Sequence, residues 1–175
     1  MRQPITKERI NRFMIELGKV VQGSGTVFFT GGVSAVLMGW REMTVDVDFK
    51  AEPEPTGFYE ALPPLKDKFD INLEPASPSD FIPVLPGWRE RCRFIGREGS
   101  IDFYHYDFYS QALAKIERSH DRDRLDVANM IESGLVDKGR MLSLFQSIEP
   151  MLIRYPAVAP RAFAKRVQEI CHEDS

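Results

Sequence analysis

Apolar and polar positions recur along this chain with two different periods, and each change of period marks an element. Between residues 5 and 21, Ile10, Phe13, Met14, Leu17, Val20 and Val21 repeat at helical spacing. Thr6 can cap that amphipathic helix and Gly23-Ser24-Gly25 ends it. Val27 to Phe29 is β-branched and aromatic and halts at Gly31-Gly32, which predicts a strand running into a tight turn. Val33 to Met38 is apolar and compact, as a short helix after such a turn would be. Val45-Asp46-Val47-Asp48-Phe49 then alternates with period two. Val45, Val47 and Phe49 share one face of this strand, and Asp46 and Asp48 share the other.

Pro53, Pro55, Pro63 and Pro64 bracket a short helix over Phe58–Leu62. Asp70 to Glu74 reads as a strand ended by Pro75. Residues 75–88 read as a loop with one helical turn at Ser79–Ile82, and a loop this long in a compact domain is often functional. Arg91 to Ile95 is the next strand, with Arg91 and Arg93 on one face. In the strand Ser100–Tyr106, Ile101, Phe103 and His105 oppose Asp102, Tyr104 and Tyr106. Helices follow over Asp107–Ser119, Asp123–Ser133 closed by Gly134, a segment capped by Asp137 and ending at Pro150, and Arg161–Ile170. This order predicts an α+β fold: a mixed β-sheet with helices on one side, then a C-terminal helical subdomain. Residues 1–110 are expected to form the core, with 111–175 packed on it as one compact unit.

Composition narrows the class. A chain of 175 residues can bury a real core, and 43% hydrophobic with 28% charged residues describes an ordinary globular protein, not a disordered one. The net charge of −3 removes any global basic field that would draw in nucleic acid. Arg89, Arg91, Arg93 and Arg97 are locally basic, either as the charged edge by which a sheet avoids aggregation or as a phosphate-contacting patch; the acidic total weighs toward the first. Gly23-Ser24-Gly25 lacks the lysine and hydroxyl residue of a phosphate loop and reads as a plain turn. Cys92 and Cys171 are too few for a disulfide framework or a zinc site, and reduced thiols fit a cytoplasmic location. His105, His120 and His172 show no ligand spacing, and no apolar run approaches a membrane span.

Two carboxylates on one strand face repel each other unless a cation lies between them, and such oxygen ligands suit Mg²⁺ or Mn²⁺. Gly31-Gly32-x-Ser34, Arg41, Thr44 and Asp46-x-Asp48 together resemble the signature of the polymerase-β-type nucleotidyltransferase superfamily. The nearest group is the small bacterial AbiEii-like one, which includes toxins of toxin–antitoxin pairs. Many members have serine directly after glycine, whereas Val33 intervenes here. Later, Leu113-Ala114-Lys115-Ile116-Glu117-Arg118 followed by Arg122-Asp123-x-x-Asp126 resembles that group's helical lysine and Arg-Asp-x-x-Asp motif. On a helix Asp123 and Asp126 stand at i, i+3, and Arg122 meets Asp126 at i, i+4.

The resemblance covers roughly Val27 to Asp126 and implies a minimal nucleotidyltransferase fold and a division of labour. Gly31, Gly32 and Ser34 would hold the triphosphate of an NTP, with Arg41 and Lys115 countering its charge. Asp46, Asp48 and Asp102 would bind Mg²⁺ or Mn²⁺. Asp102 interrupts an apolar strand and resembles the family's later acidic position, from which it would take the acceptor's proton; the alternative leaves it in water on an exposed strand face. Arg122, Asp123 and Asp126 would buttress Lys115 or the site. The implied activity moves a nucleoside monophosphate to an acceptor hydroxyl, on a tRNA or other RNA end or a protein side chain, with an antitoxin as partner and no membrane. A competing reading is a non-catalytic, antitoxin-like relative that binds nucleotide or protein. The intact acidic pair speaks against it.

Overall fold

The structure, a computed structural model, describes residues 2–173. It divides into two compact units: residues up to Ser77 with Arg93–Tyr106, and Pro78–Cys92 with Asp107 onward.

The first unit is built on a five-stranded mixed sheet. Its elements are α1 (Lys7–Val20), β1 (Gly25–Thr30), α2 (Gly31–Met38), β2 (Asp46–Ala51), α3 (Phe58–Phe69), β3 (Asn72–Glu74), β4 (Arg93–Glu98) and β5 (Ile101–His105). The strand order is β3-β2-β1-β5-β4. β1 runs antiparallel to β2 and parallel to β5; β2 and β3 are parallel, and β4 and β5 antiparallel. Val27 and Phe29, Val47 and Phe49, and Ile101 and Phe103 supply the core face, against which α1, α2 and α3 pack. Phe29 stacks on Phe103 with ring centroids 5.6 Å apart, and Phe49 meets Phe58 edge-on at 5.5 Å. Each such buried ring contributes roughly 1.5–3 kcal/mol. Val45, which the alternation groups with Val47, is exposed ahead of β2.

Two expectations about the elements up to β4 change. The prolines do not end the third helix: α3 runs through Pro63 and Pro64 to Phe69. Phe58, Leu62, Leu65 and Phe69 form a buried stripe at i, i+4, i+7 and i+11. Packing that stripe offsets the hydrogen bonds that two pyrrolidine nitrogens cannot make, a cost of about 3 kcal/mol for a proline in a helix interior. Asp70 then adopts a left-handed conformation as the helix C-cap, so β3 shortens to three residues. The second change is at Arg91, which lies not in a strand but in a single helical turn, α4 (Trp88–Arg91). Arg91 and Arg93 therefore do not share a strand face. Arg93 and Arg97 are exposed on β4, at an edge of the sheet.

The second unit holds a 3-10 turn at Pro78–Asp80, α4, α5 (Phe108–Arg118), α6 (Asp121–Glu132), α7 (Lys138–Ile148), a 3-10 segment Glu149–Arg154 and α8 (Pro160–His172). The observed division thus differs from 1–110 and 111–175: it falls at 106/107, and residues 78–92 group with the helices. Asp107 opens the longer segment of the second unit. Its fully buried carboxylate caps α5 by accepting from the Tyr109 and Ser110 amides and from Ser110 Oγ at 2.7 Å. Arg91 completes it with a two-pronged contact, Nε to Oδ1 at 3.0 Å and Nη2 to Oδ2 at 2.8 Å. Phe145 and Phe163 pack at 4.8 Å within the apolar interior of this unit. Among the described residues no helix is long and apolar enough to cross a membrane.

Arg91→Ala leaves the Asp107 charge buried without its guanidinium. It should lower unfolding free energy by about 3–5 kcal/mol in urea melts, and Arg91→Lys should recover only part of this.

Candidate active site

The turn after β1 is dictated by close approach. Gly31 has φ +61°, where a side chain is strained, and a Cβ on it would stand 2.9 Å from Asp48 Oδ2. A Cβ on Gly32 would stand 2.1 Å from Thr44 Oγ1 and 3.3 Å from Arg41 Nη1. Thr44 cannot step aside, because it is bridged to Ile5 in both directions: Ile5 N donates to Thr44 O at 2.7 Å, and Thr44 N to Ile5 O at 3.0 Å. The glycine pair thus brings the start of α2, Arg41, Thr44 and Asp48 together. Thr30, the N-cap residue of α2, makes no side-chain cap bond. The N-terminal amides of a helix favour an anion.

Asp46 and Asp48 lie on the face of β2 opposite Val47 and Phe49, both half-buried. The register sets Asp48 beside Thr30 on one flank and Glu74 on the other, and Asp46 beside Asn72. Asn72 Nδ2 donates to Asp46 Oδ1 at 2.8 Å and to Glu74 Oε1 at 2.6 Å. The Arg2 guanidinium donates to Asn72 Oδ1. The Asp46–Asp48 pair fits Mg²⁺, which commonly takes one or two carboxylates and fills its octahedron with water and substrate phosphate.

Asp102 does not join the pair. It pairs in register with Thr26, four residues along β1 from the Thr30 that faces Asp48, a separation of roughly 13 Å at about 3.3 Å per residue. Its Oδ1 lies 3.6 Å from Arg97 Nε, and the side chain is partly exposed. Alternation put Asp102 on the correct face but could not say which row of the sheet it occupied. Among the described residues no three carboxylate, imidazole or thiol groups converge to hold a metal.

Ser34 is also corrected. It is fully buried, its Oγ donates to Phe29 O at 3.3 Å, and it lies 2.9 Å from His105 Nδ1. The intervening Val33 advances the serine by about 100° around the helix, turning it from the loop toward the sheet. It ties α2 to the core side of β5 instead of facing a triphosphate. Burial, aided by the charge of Arg93, pushes the His105 pKa down to about 4, so the imidazole is neutral.

In the second unit, Lys115 on α5 faces α6. Its Nζ lies 2.8 Å from Asp126 Oδ2 and 3.4 Å from Asp123 Oδ1, and all three residues are buried. Arg118 adds Nε and Nη2 contacts to Asp123 at 2.8 and 2.7 Å. Burial pushes the Asp123 carboxyl up, but the Arg118 hydrogen bonds and the Lys115 charge outweigh it and hold the group below its ordinary range. Arg122 sits on the exposed side of α6, so Arg118 takes the part expected of it. Lys115, Asp123, Arg166 and Ile116 help line a cavity of about 480 Å³. Asn72, Glu74 and Arg118 escaped the sequence reading. Ile71-Asn72-Leu73-Glu74 carried the signal for the first two, since it alternates as the Asp46 strand does.

His105 gives the fold a pH dependence. Free histidine titrates near 6.5 and the folded residue near 4, so on acidification the unfolded chain takes up this proton first. The contribution is full above about pH 6.5, is lost between there and about 4, and levels off below, with a span on the order of 3 kcal/mol. Urea melts across this window should show a steeper loss for wild type than for His105→Gln.

No curated protein and no solved structure matches the chain. A family model does, over residues 9–166, a span that includes the glycine turn, the Asp46–Asp48 strand and the Lys115 cluster. The chain therefore belongs to the family described as a nucleotidyltransferase of unknown function (DUF6036).

Proposed function

We propose that this nucleotidyltransferase moves a nucleoside monophosphate from an NTP to an acceptor hydroxyl, with Mg²⁺ or Mn²⁺ at Asp46 and Asp48. The observation that carries the reading is the contact between turn and acidic strand: Asp48 Oδ2 stands 2.9 Å from where a Gly31 side chain would begin. A phosphate seated on the first amides of α2 would thus meet a carboxylate-held cation at once. Bound there, the cation would neutralise phosphate charge and favour attack by the acceptor oxygen. The acceptor oxygen bonds to the α-phosphorus as its proton passes to solvent water, the bond from the α-phosphorus to the bridging oxygen breaks, and pyrophosphate leaves.

The chain's own groups have distinct tasks in this reading. The Gly31–Gly32 backbone orients the phosphates, and Arg41, beside Gly32, counters their charge. Asp46 and Asp48 hold the cation. Lys115, in the second unit, is held by Asp123 and Asp126, with Arg118 standing where Arg122 was expected. The acceptor is an RNA end or a protein side chain, and an AbiEii-like toxin in a cytoplasmic toxin–antitoxin pair is the biological setting. The position of Asp102 favours one other reading, a relative that binds nucleotide without transferring it.

Incubation with each α-labelled NTP, Mg²⁺ or Mn²⁺, and total RNA or protein separates the two, since only a transferase leaves label on an acceptor. Asp46→Asn and Asp48→Asn should each lower transfer by about 10²-fold or more. Their metal-free melting temperatures should stay level or rise slightly as like-charge repulsion is relieved. Full transfer by either variant would sink the metal scheme. Lys115→Arg keeps a charge between the two aspartates but presents a planar fork. As a brace between α5 and α6 the fork fits the buried aspartates less well, so the metal-free melting temperature of this variant should fall below that of wild type.

A further inference from the structure

We propose that Asn72 is a positioning residue for Asp46, and that Arg2 sets the orientation of its amide. The inference rests on the cation-dependent reading above and extends it to β3. Donor and acceptor chemistry fixes the arrangement. A guanidinium only donates, so the atom facing Arg2 must be the amide oxygen. That leaves both Nδ2 protons for acceptors, and the two within reach are carboxylates: Asp46 at 2.8 Å and Glu74 at 2.6 Å. A reversed amide would put its oxygen against two anions and its nitrogen against a cation. Arg2 therefore excludes the flipped state.

One neutral amide thus holds one oxygen each of Asp46 and Glu74. Register makes this a designed neighbour relation: Asn72 is the cross-strand partner of Asp46, and Glu74 that of Asp48. Without the amide, Asp46 and Glu74 have no shared donor and turn apart under their mutual repulsion. A ligand carboxylate held by an outer hydrogen bond meets its cation at lower ordering cost, and such outer partners typically matter by 10–100-fold in metal affinity. An asparagine that merely supported the short β3 would, when removed, change stability and leave cation affinity alone.

The test titrates the full chain with Mn²⁺, following free ion by its paramagnetic resonance signal, beside metal-free thermal melts. Asn72→Ala and Asn72→Leu should bind Mn²⁺ about tenfold more weakly or worse than wild type, while melting close to it. Arg2→Ala should shift affinity in the same direction by less, and Arg2→Lys, which still donates to the amide oxygen, should restore it. Transfer assays should show kcat falling with little change in KM for the NTP. Wild-type Mn²⁺ binding with Asn72 variants within twofold of it overturns the inference while leaving the proposed function standing. If the Asn72 variants fail to fold, Arg2→Ala decides, and unchanged affinity there overturns the inference too. If wild type itself binds no Mn²⁺, the cation-dependent reading falls and this inference with it.

Discussion

The first unit is organised around the approach of Gly32 to Thr44. A methyl group at 32 would overlap the threonine hydroxyl, and Thr44 is pinned by its two backbone bonds to Ile5. Because neither side can give, the end of β1, the start of α2 and the entry to β2 are fixed against one another. The acidic pair inherits its position from that contact. Asp46 and Asp48 follow Thr44 by two and four residues, and the antiparallel pairing with β1 sets Asp48 beside Thr30 at the mouth of the turn. Backbone packing, and not attraction to a ligand, holds the first amides of α2 and the carboxylates in one place.

Two acidic clusters, one in each unit, are handled in opposite ways. In the second, Asp123 and Asp126 are buried, and Lys115 and Arg118 answer them charge for charge. Such a cluster is costly to break and contributes rigidity, since each buried ion is held by its partners. In the first unit, Asp46 and Glu74 share a neutral amide. A neutral donor orients an anion without cancelling its charge, which leaves the field of the carboxylate available to a cation. The same residue type is thus locked in one place and kept electrostatically active in the other.

Much of this was legible in the residues. The period-two stretch around Asp46 and Asp48, the glycine turn, the Thr6 and Asp137 caps and the stripes of α1 and α5 all follow from local rules. What was not legible depended on rows and partners. Asp102 has the right parity and the wrong row, because alternation fixes a side chain's face while register depends on the neighbouring strand. Ser34 is one helical position too far, so its hydroxyl meets His105. Pro63 and Pro64 look like a barrier, yet the stripe from Phe58 to Phe69 carries the helix across them. Arg91 looks like part of a basic strand until Asp107, sixteen residues on, claims it.

That claim also bears on the hairpin enclosed by the two residues. Counting outward from the Arg93–His105 pair, Arg91 and Asp107 each lie two residues further along their arms. The pairing near the open end therefore follows the same count as the ion pair. Beyond the irregularity between Phe94 and Gly96 the count changes by one. The extra residue is absorbed inside β4. Within the second unit the fork joins residue 91 to residue 107, so the chain leaves that unit and re-enters it at a single ion pair.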